Sequence, residues 1–156
     1  MFRLENEDTL LATFRPKDRE AVRLAPEVKF PTIVRHYLAW VHPAGGRVFL
    51  VFQVPGGAPT GIVFDTSDGA DPSVPQMCDW CHNSAPGTGV GLLTARRNAK
   101  KNVGVHICSD LSCRQKLEED ADRRGVSVLP MMEKLVQRMG RFASEALQID
   151  LSGAGR

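Results

Sequence analysis

The four cysteines constrain this chain more than any other feature, because they form two close pairs. Cys78 and Cys81 are separated by two residues and Cys108 and Cys113 by four, with 26 residues between the pairs. Each pair can hold a metal ion from one tight turn, and a strand–turn–strand between them returns the second pair to the first. The spacing predicts one tetrahedral Zn²⁺ site per chain with these four thiolates as ligands. Four thiolates leave no open coordination position, so this zinc is expected to be structural.

Three other uses of paired cysteines compete with zinc. Disulfides require an oxidising compartment, whereas the start of the chain mixes both charges and lacks the apolar segment of a secretion signal. Residues 78–82 match the haem-attachment motif C-x-x-C-H, but that chemistry leaves Cys108 and Cys113 unexplained. A thioredoxin-like redox pair follows a strand, and here a proline-containing loop precedes Cys78. His82 and His106 lie near the pairs, although four cysteines already complete a tetrahedral set.

The residues before the cysteines favour a β meander. Three stretches, at 32–41, 47–54 and 61–64, are rich in β-branched and aromatic residues and are separated by proline- and glycine-containing turns. The second stretch is an almost continuous apolar run of strand length, which is typical of a buried central strand. This spacing predicts an antiparallel meander and leaves the order of its strands open.

The residues between and after the cysteine pairs favour a zinc finger. Strands are predicted at 91–97 and 103–107, with a polar turn between them. Asp110 is then predicted to cap a helix over 111–124, which places Cys113 in the first turn of that helix. A helix N-terminus favours a thiolate there. A zinc knuckle, a β-hairpin and a helix that carries the last ligand follow one another in the order of a treble-clef zinc finger.

Helices flank the predicted strands on both sides. Short helices are predicted within residues 3–24, and Pro130 opens a long helix whose apolar residues recur at helical spacing from Met132 to Leu147. We expect this amphipathic helix to pack against the core or a sheet face. The predicted fold class is therefore α+β: an antiparallel β meander with flanking helices, a four-cysteine treble-clef zinc finger and a long C-terminal amphipathic helix.

The predicted organisation is simple. We expect residues 1–150 to form a single α+β domain that contains the finger at 75–125, and residues 151–156 to be a disordered tail. The sequence has no run of 18 apolar residues that could span a membrane. Without a signal or a span, the expected location of the chain is cytoplasmic.

The basic residues are concentrated around the cysteines. Residues 78–116 carry six basic and two acidic side chains, although the net charge of the whole chain is only +2. Four of these basic residues lie at and around the turn of the predicted hairpin: Arg96, Arg97, Lys100 and Lys101. They are either a surface that steers the chain to an acidic protein or to RNA, or simply a solvated loop. Trp80, between two zinc ligands, is either a partner anchor or a local cover for the thiolates.

The sequence lacks the motifs of the common enzyme classes. The glycine-rich residues 87–91 have neither the Lys-Ser/Thr ending of a P-loop nor the preceding strand of a dinucleotide site. Gly-x-Ser-x-Gly, His-Glu-x-x-His and the zinc-deaminase pattern are also absent. We therefore expect no catalysis and no small-molecule substrate.

The region from Pro75 to Cys113 resembles a known family. The knuckle at 78–81, the strand at 91–97 and the stretch 105–113, which ends in Cys-Ser-Asp-Leu-Ser-Cys, resemble the C-terminal treble-clef zinc finger of elongation-factor-G-binding proteins. That family includes the fusidic-acid-resistance proteins. The resemblance extends more weakly over residues 1–147.

This resemblance implies a non-catalytic bacterial binding protein. Members of the family bind elongation factor G and promote its release from the ribosome, including when fusidic acid has stalled it. The zinc ligands of the family correspond to Cys78, Cys81, Cys108 and Cys113, and much of the contact with the factor lies in the finger domain. The resistance proteins also have a helical bundle ahead of the finger domain, and the residues before the first predicted strand are too few for that bundle.

Two functions follow as alternatives. The first is a zinc-binding protein that binds elongation factor G, with or without the ribosome, and promotes its release. The second is an RNA- or ribosome-binding zinc finger that uses the basic hairpin on phosphate groups. Salt separates the two, because each contact with a phosphate makes binding more sensitive to ionic strength.

Overall fold

The computed structural model describes residues 1–66, 76–84 and 89–156. The strands, in chain order, are β1 Phe2–Leu4, β2 Thr32–Val34, β3 Tyr37–Val41, β4 Arg47–Phe52, β5 Thr60–Thr66, β6 Val90–Asn98 and β7 Lys101–Cys108. The last five form one antiparallel sheet in the order β3-β4-β5-β6-β7, and β1 pairs with β2 in a separate two-stranded sheet. The predicted antiparallel meander is confirmed, and it continues without a crossover into the hairpin of the finger.

Helical segments precede and follow this sheet. They are α1 Glu7–Leu11, a 3₁₀ helix at Pro16–Ala21, α2 Cys113–Arg124, α3 Leu129–Arg141 and a π-helical turn at Phe142–Ala146. Gly125 ends α2 in the left-handed conformation, with φ of 64°, which a residue without a side chain adopts at little cost. No helix among the described residues is long and apolar enough to cross a membrane.

Strand β4 shows how the core is arranged. Five of its six residues are buried, because both faces of the strand are covered. Val48, Leu50 and Phe52 face one apolar cluster, which also contains the cysteines and the apolar stripe of α3. Phe49 and Val51 face a second cluster, formed with the N-terminal residues that include Leu10 and Phe14. The interpretation of this stretch as a buried central strand is confirmed.

The predicted strand at 32–41 is two strands that belong to different sheets. It is interrupted at His36, whose φ of 67° lies in the left-handed region, where a non-glycine residue is unfavourable. Thr32–Val34 therefore pairs with Phe2–Leu4, and the central sheet begins at Tyr37. The segment 3–24, predicted to form short helices, also differs from the structure, because its first residues belong to strand β1.

The helix of the finger begins later than the sequence predicts. Leu111 adopts a left-handed conformation with φ of 56°, so the helix starts at Cys113 rather than at residue 111. Asp110 does not cap it: the Oδ1 atom of Asp110 accepts a hydrogen bond from the amide of Ser112, 3.0 Å away. Cys113 still lies in the first turn, as predicted. Pro75, the predicted first residue of the finger, lies outside the described residues.

The C-terminal helix packs tightly against the sheet. Its apolar residues face the larger cluster, as the amphipathic pattern predicts. Gly140 allows the close approach, because a Cβ atom there would lie 2.5 Å from Cγ1 of Val54. Residues 151–156, predicted to be a tail, return to the turn after β4: the amide of Ala58 donates to the carbonyl of Leu151 over 2.8 Å.

Candidate zinc centre and its surroundings

The four predicted metal ligands come together in one buried cluster. Their Sγ atoms all lie within 4.8 Å of one another. The Sγ–Sγ distance is 3.7 Å for Cys78–Cys113 and 3.7 Å for Cys81–Cys108. A disulfide requires about 2.05 Å, whereas the edge of a tetrahedron of sulfurs around zinc, with Zn–S bonds of about 2.3 Å, is about 3.8 Å. The cluster therefore has the dimensions of a closed zinc site with four thiolate ligands, and the predicted single structural zinc is confirmed.

The electrostatics of the cluster also fit a divalent cation. The sulfurs of Cys108 and Cys113 beside Cys78 hold the pKa of Cys78 far below its ordinary value. The pKa of Cys113 lies far above its ordinary value, because its thiol is held by Cys108 and Cys78 and is buried. Four thiolates in this volume repel one another unless a cation lies between them. Zinc supplies that charge and holds both halves of the finger together.

The first ligand pair is positioned by a tight knuckle. The amide of His82 donates to the carbonyl of Cys78 over 2.8 Å, and the amide of Cys78 donates to the carbonyl of Asn83 over 3.0 Å. His82 closes this turn with φ of 61°. The amide of Asp79 donates to the carbonyl of His106 over 2.8 Å, which attaches the knuckle to the edge of β7. His82 and His106 are exposed and are not part of the cysteine cluster.

The second ligand pair is positioned by the end of β7 and the start of α2. Tyr37 of β3 fixes this junction: its hydroxyl donates to the carbonyl of Leu111 over 2.6 Å and accepts from the amide of Arg114 over 2.9 Å. Burial raises the pKa of Tyr37, so the hydroxyl stays protonated and able to donate. The guanidinium of Arg114 lies 4.6 Å from the centre of the Tyr37 ring. The central sheet thus contacts the finger helix directly beside Cys113.

A lysine completes the environment of the thiolates. Nζ of Lys116 donates to Sγ of Cys108 over 3.0 Å. Burial lowers the pKa of Lys116, but the hydrogen bond to Cys108 and the negative charges of Cys108, Cys81 and Cys113 together outweigh burial and leave the pKa above its ordinary value. The ammonium therefore offsets part of the negative charge that four thiolates bring to one zinc ion. Sequence reasoning missed Lys116, although its position one helical turn after Cys113 was a usable signal.

Trp80 is not an exposed partner anchor. Only 3% of it is accessible, and its ring contacts Phe64 and Phe142, with centroid distances of 5.9 and 6.0 Å. Its carbonyl accepts a hydrogen bond from Nη1 of Arg138 over 2.6 Å. The position of Trp80 between two zinc ligands favours an outward side chain. The knuckle lies against the sheet and the C-terminal helix, however, and the indole is therefore turned into the core. The prediction of an anchor at Trp80 is therefore wrong.

The four basic residues of the hairpin are not equivalent. Arg96, Lys100 and Lys101 are exposed. Arg97 is half-buried, and its Nε donates to the carbonyl of Ala146 over 2.6 Å, so it joins the hairpin to the C-terminal turn. The carbonyls of Arg96 and Arg97 accept hydrogen bonds from Arg15, over 2.5 and 3.1 Å. Arg97 therefore has a structural role, and the other three remain candidates for a partner surface.

A match to a family model agrees with this fold and this site. The model of the FBP C-terminal treble-clef zinc-finger family matches residues 10–146. Among solved structures, that of the fusidic acid resistance protein FusC is similar, with a TM-score of 0.47 and 20% sequence identity over 73% of this chain and 53% of FusC. The chain therefore spans about half the length of FusC. No curated protein matches the chain.

Proposed function

This chain belongs to the FBP C-terminal treble-clef zinc-finger family, and we propose that it is a non-catalytic binding protein whose partner is translation elongation factor G. The family match carries this proposal, because it extends over residues 10–146 and so includes the sheet, the finger and α3. The resemblance of the knuckle and of the 105–113 stretch to elongation-factor-G-binding proteins supports the choice of partner. Promotion of factor release from the ribosome is the corresponding activity.

The zinc has an indirect role in this function. Its four cysteines are buried, so the metal itself contacts no partner. It holds the knuckle, the hairpin and the start of α2 in one arrangement, and the partner surface depends on that arrangement. We infer that binding requires zinc, although zinc takes no part in any chemical step.

The exposed basic residues of the hairpin suit long-range attraction. Arg96, Lys100 and Lys101 project from the end of β6 and the start of β7 without burial. Exposed charges of this kind raise the association rate with an oppositely charged partner more than they raise the final affinity. We therefore assign these three residues to the steering of an acidic partner towards the finger.

A pull-down with purified elongation factor G tests the proposal. Zinc is quantified on the same sample, and each reaction is treated with nuclease. A stoichiometric complex that survives nuclease, with one zinc per chain, is the expected result. A complex that disappears with nuclease, or binding to ribosomal RNA alone, would replace the factor by RNA as the partner. The matched control is the Cys113→Ser variant, which should lose both zinc and the complex.

A further inference from the structure

A groove separates the zinc knuckle from the two C-terminal helices. It has a volume of about 460 Å³, and its walls include His82 of the knuckle, Leu117 of α2 and Met131 of α3. A second depression of about 300 Å³ continues from His82 along Lys116. The groove is thus built from both halves of the finger and from the helix that follows it.

Two exposed apolar side chains lie at the connection between α2 and α3, of which Val126 lines the groove and Leu129 precedes the lining residues Pro130 and Met131. Residues 125–128 connect α2 to α3, and there Val126 is 48% accessible. Leu129, the first residue of α3, is 56% accessible. Their neighbours Val128 and Met131 pack against the larger cluster, whereas Val126 and Leu129 remain in solvent. Exposed apolar side chains beside a groove are typical of a protein-binding site.

The rim of the groove is basic. Arg124, Lys134 and Arg138 line it, against one acidic residue, Asp120. Arg138 is held in place by its hydrogen bond to the carbonyl of Trp80. Nη1 of Arg124 donates to Oδ2 of Asp120 over 3.3 Å. Three cations beside the apolar side chains of Leu117, Val126 and Met131 favour an acidic occupant that also carries an apolar side chain.

We propose that this groove is the docking site for an acidic protein segment that inserts an apolar side chain beside Val126 and Leu129. The inference rests on the proposed function, since it identifies the groove as the anchor for the elongation factor. A protein segment suits the site better than RNA, because no Phe, Tyr or Trp side chain lines the groove in the described part of the chain. The groove and the hairpin then have separate tasks: the hairpin steers the partner and the groove retains it.

Binding kinetics with elongation factor G distinguish these tasks. The groove variants are Val126→Ser/Leu129→Ser and Lys134→Glu, which alter exposed side chains and leave the core unchanged. The matched controls in the N-terminal layer are Ile33→Ser, at a residue 60% accessible, and Lys29→Glu. We expect the groove variants to weaken binding about tenfold or more through faster dissociation. The controls should bind as the original chain does. If the groove variants bind as tightly as the controls, the groove is not the docking site, and the proposed function is unaffected.

An experiment without elongation factor G separates failure of the groove from failure of the proposed function. The probes are the peptide acetyl-Glu-Glu-Leu-Glu-Glu-amide, its glutamine analogue and a short oligouridine, each added to the ¹⁵N-labelled zinc-loaded chain. We expect saturable shifts of the Val126, Leu129 and Met131 amides with the acidic peptide and much weaker shifts with the analogue. If the factor does not bind but these shifts occur, the acidic-segment site stands and its partner is another protein. An absence of shifts with the acidic peptide, or shifts with oligouridine alone, would overturn the inference.

Discussion

The two faces of the central sheet are stabilised by different means. On one face, side chains from all five strands form a cluster with the finger cysteines and the apolar stripe of α3. On the other face, the apolar side chains of the N-terminal segment pack against β3, β4 and β5. Leu92 and His106, paired across β6 and β7, remain exposed on that second face.

This difference shows what the metal contributes. The N-terminal face includes one 3₁₀ helix and a five-residue α-helix, which are too short to be stable alone. Apolar burial holds this segment on the sheet, together with the hydrogen bonds from Arg15 to the carbonyls of Arg96 and Arg97 and from the amide of Gly61 to the carbonyl of Thr13. The finger face has a long helix and a metal site, and a structural zinc contributes about 10–16 kcal/mol in small zinc domains. Strand β4 contributes buried residues to both faces.

Removal of zinc should have the largest effect, and it acts on the face of the sheet that carries the finger. We expect EDTA to unfold at least residues 78–124, because the stabilisation from zinc exceeds the total stability of most domains. Hydrogen exchange should show complete loss of protection in α2 and the knuckle. The amide of Gly61, which donates to the carbonyl of Thr13 over 2.9 Å on the other face, should keep more protection. Unchanged melting after complete zinc removal would contradict this role.

The Phe14→Ala variant should weaken the N-terminal face without affecting the metal. Phe14 is fully buried, and its ring lies over Gly61, where a Cβ atom would come within 2.7 Å of it. Loss of this ring should lower the free energy of unfolding by about 3–5 kcal/mol. Denaturant titration measures this loss, with Ile33→Ala as the exposed control. Zinc stoichiometry should stay at one per chain, and a fall in zinc content would show that the two faces are not separable.

The Gly140→Ala variant should destabilise the packing of α3, although alanine normally stabilises a helix interior relative to glycine. The new Cβ atom would meet Cγ1 of Val54 at 2.5 Å. We expect this overpacking to lower the free energy of unfolding by about 1–3 kcal/mol. The double variant Gly140→Ala/Val54→Ala should recover part of the loss, because it removes the clashing methyl group. A single variant that is more stable than the original chain would disprove the close contact.

The Tyr37→Phe variant should have the smallest effect, and it tests the junction between the central sheet and the finger. It removes the hydroxyl that joins the carbonyl of Leu111 to the amide of Arg114. We expect the free energy of unfolding to fall by about 1–2 kcal/mol, because the carbonyl of Leu111 and the amide of Arg114 lose their hydrogen-bond partner. Competition with a chromophoric chelator should also show faster zinc release. Equal release rates for both proteins would restrict Tyr37 to a packing role.

Local patterns in the sequence predicted the metal site and the meander. The two cysteine pairs, the apolar run of β4 and the helical stripe of α3 each depend on residues close together in the chain, so their spacing is informative. The orientation of Trp80 was not predictable in this way. It depends on Phe64 and Phe142, which come from distant parts of the chain and meet only in the folded protein.

The two cysteine pairs, the antiparallel meander and the resemblance to a family were all predictable from the sequence, because ligand spacing and hydrophobic periodicity are local properties. The order of the strands in the sheet was not. Three features depend on the tertiary structure alone: the interruption of the predicted strand at His36, the later start of α2 and the structural role of Arg97. Each of these depends on a left-handed backbone conformation or on a hydrogen bond to a distant carbonyl, neither of which has a local sequence signal. The groove beside Val126 and Leu129 is of the same kind, since the knuckle and both C-terminal helices have to be assembled before it exists.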